Sequence, residues 1–148
     1  MSVIRVASTD DLAQVQKIEM GSYPDPWPRS IFYLMHGRAP KLFLIADKGD
    51  EVIGYIVGEI ELRDDDRVGH VMNLAVTKSQ QRKGFAEALI DELEHRFREN
   101  GAKISYLEVR LGNTVAQNLY KKHGYHKVGL LPHYYSGEDG VAMEKALF

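Results

Sequence analysis

The stretch from Gly69 to Gly101 constrains the fold of this chain more than any other. Gly69-His-Val-Met-Asn-Leu-Ala-Val76 reads as a central strand. Thr77 to Gly84 is polar, basic and poor in structure. Phe85, Ala88, Leu89, Leu93 and Phe97 then recur at three- and four-residue steps, the spacing of an amphipathic helix, which stops near Asn100-Gly101. A buried strand feeding a long one-faced helix calls for layers of helix and sheet.

The flanking segments fit that class. Val3 to Val6 predicts a first strand. Ser8-Thr9-Asp10-Asp11 offers helix caps ahead of Leu12, Val15, Ile18 and Glu19 at helical spacing. Gly21 to Pro28 holds three prolines, Tyr23 and Trp27, which rules out regular helix and central strand. Ile31 to His36 predicts a short helix. Lys41–Ala46 and Glu51–Glu61 predict two strands around a turn at Asp47 to Asp50, and Arg63 to Asp66 a charged turn. Ile104–Val109 predicts a strand, and Asn113 to His123 a helix stopped by Gly124. Tyr125–Leu131 and Val141–Leu147 predict a last strand pair joined by a long loop carrying Tyr134 and Tyr135. The order is β-α-α-β-β-β-α-β-α-β-β. At 148 residues, one mixed α/β domain over 1–148 is expected.

Composition removes several functions. Lys plus Arg is 19 and Asp plus Glu is 21, a net charge of −2, so a mainly electrostatic nucleic-acid binder is disfavoured. No cysteine is present, which removes thiolate nucleophiles and zinc–thiolate sites. No apolar run reaches the roughly 18 residues of a membrane span, and no signal-peptide pattern is seen, so a cytoplasmic setting is expected. His123 and His126 have no acidic or thiol context in sequence and read as surface residues, so no metal is expected.

Gln81-Arg82-Lys83-Gly84-Phe85-Ala86 enters the long helix. The first turn of a helix leaves backbone N–H groups without partners, and the macrodipole adds positive charge there. An anion satisfies both. Small residues at 84 and 86 let oxygens approach the backbone, and no capping side chain immediately precedes Gly84. From these residues alone, an ordinary basic loop is as good a reading as a phosphate cradle. Neither the GxxxxGK[ST] nor the GxGxxG spacing is present.

Gln81-x-x-Gly84-x-Ala86 after Leu74-Ala75-Val76 resembles the acetyl-CoA signature of the GCN5-related N-acetyltransferases. Asn113-x-x-Ala116-x-x-Leu119-Tyr120 followed by Gly124-Tyr125 resembles their second hallmark. Leu107-Glu108-Val109-Arg110 is similar to the ribosomal-protein alanine acetyltransferases. His133-Tyr134-Tyr135 through Met143 is similar to the catalytic subunits of archaeal and eukaryotic N-terminal acetyltransferases.

The resemblance implies a mostly antiparallel mixed sheet flanked by helices, with acetyl-CoA as co-substrate. Leu74, Ala75 and Val76 would run beside the pantetheine arm. Gln81 would belong to the cofactor site, the N–H groups of Arg82, Lys83, Gly84, Phe85, Ala86 and Glu87 would cradle the pyrophosphate, and Asn113 would bond the pantetheine or nearby backbone. The strands ending at Val76 and Val109 would splay, leaving unpaired backbone donors for an oxyanion. Glu108 takes the place of the base and Tyr120 that of the acid, with His70 at the acceptor site. Tyr23, Pro24, Asp25, Tyr134 and Tyr135 would grip the first residues of a peptide. The acceptor implied is the α-amine of a protein N-terminus, ribosomal proteins included, with an auxiliary subunit as a further partner. A lysine, polyamine or other small amine, and a non-catalytic CoA-binding module, are the alternatives. Each residue also has a structural reading: Tyr120 as core, Glu108 paired with Arg110 or Lys103, His70 as a sheet residue, and Trp27 as a plug for the core.

Overall fold

The computed structural model describes residues 2–148. Seven strands and four helices follow one another as β1 (Ser2–Val6), α1 (Leu12–Ser22), α2 (Arg29–Arg38), β2 (Phe43–Lys48), β3 (Glu51–Arg63), β4 (Asp66–Val76), α3 (Phe85–Glu99), β5 (Ile104–Arg110), α4 (Thr114–Lys122), β6 (His126–Tyr135) and β7 (Glu138–Ala146). This is the predicted order. The strands form one sheet, β1-β2-β3-β4-β5-β7-β6. Every neighbouring pair is antiparallel except β4 and β5.

Strand alternation sends side chains to two faces, and each face has its own core. Leu89, Leu93 and Phe97 of α3 pack with Leu44, Ile56, Val71 and Leu107 on one side. Leu12 and Val15 of α1 and Phe32 and Met35 of α2 pack with Phe43, Ile45, Tyr55 and Val57 on the other. The fully buried Phe97 ring lies where a Cβ at Gly69 or Gly58 would sit, so those strand positions take glycine.

Several boundaries differ from the expectation by a few residues, and two of them have a clear local cause. Lys41 and Leu42 belong to a 3₁₀ turn that starts at Pro40, and the strand begins only at Phe43. Proline fixes φ and donates no N–H, which favours the turn. Tyr134 and Tyr135 lie at the end of β6 and not in a long loop. Pairing slips between Leu131 and Tyr135, where His133 takes a φ of 56°, and Gly137 at φ 77° closes a tight hairpin. That bulge breaks the alternation at Pro132, which is why the strand reads as ending at Leu131.

β4 and β5 pair only from Val68↔Ile104 to Val71↔Leu107. Beyond that point β4 stays on β3, while β5 stays on β7. A bulge between Val57 and Gly58 sits opposite the residues where β4 leaves β5. Bulges bend and twist a strand, and here the bend opens the sheet into a V.

Candidate active site

Two cavities meet at the mouth of the V. One, of about 740 Å³, is lined by Leu74, Ala75 and Val76 of β4, the loop and first turn of α3, and Asn113, Ala116 and Leu119 of the α4 region. The other, of about 420 Å³, is lined by Glu19, Tyr23, Asp25 and Trp27 on one wall and Glu108, Arg110, Tyr134 and Tyr135 on the other. Tyr23, Leu74, Asn113 and Tyr120 line both.

The larger cavity has the properties of an anion site. α3 starts at Gly84, which takes φ 87°, and no side chain caps it. The preceding Arg82 also takes a positive φ of 63°. Gln81, Arg82, Gly84, Phe85, Ala86 and Glu87 all line the cavity; Lys83 does not, and its ammonium lies 3.4 Å from Gln80 Oε1. The Gln81 amide donates to the Val76 carbonyl at 3.0 Å and so pins the loop to the strand end. Asn113 is committed to the backbone: its Oδ1 accepts from the Ala116 N–H at 3.1 Å, capping α4.

One backbone donor inside the V, the Leu74 N–H, departs from the expectation of free donors. The Leu74 N–H donates to Asn73 Oδ1 at 3.0 Å, and the Leu74 carbonyl accepts from the Tyr23 hydroxyl. Across the V, the Gln117 amide donates to the carbonyls of Arg110 and Leu111 at 3.0 and 2.8 Å. A splayed pair strands polar groups of both edges, and nearby side chains occupy those named here.

In the smaller cavity Glu108 is tied to neither Arg110 nor Lys103. Its Oε1 lies 2.7 Å from His70 Nε2, and His70 Nδ1 in turn meets Glu61. Burial drives the His70 imidazolium toward losing its proton, but its bonds to Glu108 and Glu61 outweigh this and raise its pKa. Burial disfavours the Glu108 anion as well, yet the contact with His70 leaves its pKa below the usual carboxylate range. Burial and the Glu108 charge push the Tyr106 hydroxyl up to about 12 and also raise Tyr134. Tyr120 is pushed well up by burial, with a contribution from Tyr135, and so keeps its proton at any working pH. Its ring packs on Tyr125 at 5.5 Å.

His70 does not line the cavity; it stands behind Glu108. Pro24 lies off the cavity wall too, between Tyr23 and Asp25, which line it. Asp25 has a partner already, the Arg110 guanidinium at 3.1 Å. Arg110 also meets Glu138 at 3.3 Å and lies 4.5 Å from the Tyr135 ring centre, so it joins the two walls. Trp27 both lines the cavity and packs on Phe32 at 5.3 Å.

The sequence offered no role for Glu19, Asn73 or Glu61, and cast Arg110 only as a partner of Glu108. Glu19 is buried, with its carboxylate accepting from the Tyr55 hydroxyl, the Asn73 amide at 2.8 Å and the Trp27 N–H at 2.9 Å. A glutamate on the apolar stripe of Leu12, Val15 and Ile18 is the one signal that marked it. Outside the cleft, His123 is no free surface residue, since its Nε2 lies 2.7 Å from Asp91. Glu94 lies close to both, but its oxygens already accept from Tyr125 and Lys145 at 2.8 Å each. The trio serves as a polar tie between α3, α4 and β7.

A splayed β4–β5 pair with an uncapped helix start beneath it is a site for an anionic ligand lying along a strand edge. The family model of the acetyltransferase (GNAT) family matches residues 12–125. The chain belongs to that family, and acetyl-CoA is its acyl donor. It is 34% identical to an N-alpha-acetyltransferase of Sulfurisphaera tokodaii, over 97% of this chain and 92% of that one. It is 36% identical to an uncharacterized N-acetyltransferase of Methanocaldococcus jannaschii, over 97% and 90%. The crystal structure of Ard1 from Thermoplasma volcanium superposes with a TM-score of 0.93 at 28% identity, covering 99% of this chain and 98% of that one. Among the described residues, no helix is long and apolar enough to cross a membrane.

Proposed function

We propose that this acetyltransferase acts on the α-amine of protein N-termini, with Glu108 as the base that takes the amine proton and Tyr120 as the acid that supplies the thiol proton. The single observation behind this reading is a carboxylate fixed on the wall of a short aromatic cleft that opens onto the cavity at the start of α3. The relatives named N-alpha-acetyltransferase support the acceptor class.

Acetyl-CoA supplies an activated thioester carbonyl. The residues of the loop from Gln81 to Glu87 and the edge of β4 would hold it, with the N-terminal amides of α3 facing its phosphates. An attacking amine must be neutral. A peptide α-amine has a pKa near 7.7–8.0 and a lysine near 10.4, a difference of roughly 3–4 kcal/mol in deprotonation at neutral pH. Glu108, ionised and positioned, accepts the proton that the amine loses as its nitrogen bonds the acetyl carbon. Tyr120, still protonated, donates to the departing sulfur as the carbon–sulfur bond breaks. Tyr23, Asp25, Tyr134 and Tyr135 would flank the first residues of the peptide. Ribosomal proteins fall within this acceptor class. An auxiliary subunit would find Met20, Tyr33 and Leu34 exposed on α1 and α2.

The test is acetylation of a library of short peptides, read by mass spectrometry, beside free lysine and spermidine. Acetyl groups on peptide α-amines are expected. Acetylation confined to lysine side chains or polyamines overturns the reading.

A further inference from the structure

We infer that Glu61 is a positioning residue of the reaction: from β3, outside the cleft, it clamps the His70 imidazole against Glu108 and keeps Glu108 serviceable as a base. The inference rests on the role proposed for Glu108.

Three adjacent strands build the arrangement. His70 on β4 stands opposite Glu59 on β3 and Tyr106 on β5. Glu61 and Glu108 lie two residues further along their strands, on the same face, one on each side of the ring. His70 Nε2 is 2.7 Å from Glu108 Oε1, and Nδ1 bonds Glu61 Oε2. The His70 and Glu108 side chains are 12% and 15% exposed, and Glu61 is 35% exposed. The chain of groups thus runs from the cleft wall to the solvent.

Imidazole chemistry dictates the charge. Each ring nitrogen faces a carboxylate oxygen, and a neutral ring would aim a lone pair at one of them. The ring therefore carries both protons, a cation between two anions. Other charges nearby are already engaged. Glu59 pairs with Arg38 at 3.3 Å. Arg63 lies over the Tyr106 ring at 4.3 Å and pairs with Glu144 at 3.4 Å. The edge of Tyr106 packs on His70 at 5.3 Å, and Tyr134 lies by Glu108. Val68 and Met72, the neighbours of His70 on its own strand face, carry no charge.

At rest Glu61, His70 and Glu108 sum to one negative charge. When Glu108 takes the proton that the attacking amine loses, the sum becomes zero. Without Glu61, the same uptake would leave an uncompensated cation in a half-buried site. A cation so placed makes Glu108 a poorer base. Glu61 thus offsets the cost of parking an imidazolium beside the base, while its bond to Nδ1 keeps Nε2 aimed at Glu108.

Two measurements on the full chain test this. The first is an NMR titration of the His70 ring nitrogens, without substrate, in the wild type, Glu61→Gln and Glu61→Asp. Glu61→Gln is expected to lower the His70 pKa by roughly one to three units, and Glu61→Asp to restore part of it. The second is the pH dependence of kcat and KM for a peptide. Glu61→Gln is expected to lower kcat about tenfold at pH below the variant's own His70 pKa, where the ring is still a cation, with KM for acetyl-CoA unchanged. The deficit should close as alkaline pH strips the ring of its extra proton. In a His70→Gln background, adding Glu61→Gln should change kcat less than about twofold. An unshifted His70 titration, or rate losses that multiply in the double variant, overturns the inference. A wild-type chain silent toward peptides would instead overturn the acceptor reading, and the titration would still decide whether Glu61 governs His70.

Discussion

α3 and α4 both begin at the larger cavity, yet they begin differently. α4 has its own cap, the Asn113 side chain on the Ala116 N–H. α3 starts from a left-handed Gly84 with no side-chain cap. The same contrast separates the two cavities. The acceptor cleft is full of internal partners: Asp25 and Glu138 on Arg110, His70 on Glu108, Asn73 and Trp27 on Glu19. The donor cavity keeps an open helix end. A protein that must bind a diphosphate leaves the amides for it, while one that must aim a carboxylate surrounds that carboxylate with braces.

Breaking the braced side at its centre should have the largest effect. Glu108→Gln is expected to lower kcat by about 10²–10³-fold with the acetyl-CoA Kd unchanged, read by steady-state kinetics and calorimetry. The wild-type pH profile sharpens the point. Glu108 is held below the usual carboxylate range, so it stays ionised through the working pH. The acid limb of kcat/KM should therefore follow the peptide amine, with an inflection near 7.7–8.0, and not a carboxylate near 4–5. A limb that ignores a change in the amine's own pKa would contradict this. Next in size is Tyr120→Phe, expected to slow turnover about 10–100-fold with acetyl-CoA affinity intact. Normal turnover in that variant would remove its role as acid.

Local patterns account for what could be read directly. The strand to Val76, the loop and the α3 periodicity are contiguous, so the donor side is visible in a single stretch. The parallel step from β4 to β5 and the V behind it are not, because they depend on a bulge at Val57/Gly58 and on where pairing stops. Nor are the braces. Glu61 lies 9 residues from His70, and His70 lies 38 from Glu108. Such pairs come together only through strand register, which no local periodicity encodes. The capture of the Leu74 N–H by the side chain of its own neighbour Asn73 was not legible either, because such a bond depends on the local strand conformation and not on the residue pattern.

The contrast between the two helix starts can be tested at each end. A side chain at Gly84 would meet no heavy atom within 4 Å, so sterics do not forbid one; its φ of +87° does. Holding an L-residue there costs about 1–2 kcal/mol, so Gly84→Val should distort the cradle. The acetyl-CoA Kd is expected to rise about five- to tenfold, with kcat at saturation little changed. Asn113→Ala removes a cap instead of a cradle. It should cost about 1 kcal/mol of stability, read as a lower denaturant midpoint, and Asn113→Asp should recover most of it. The acetyl-CoA Kd should move less than about threefold, because Asn113 Oδ1 is spent on Ala116 and the phosphates belong to the other helix. A large loss of acetyl-CoA affinity in Asn113→Ala, with stability unchanged, would reverse the assignment and make α4 the ligand-binding start.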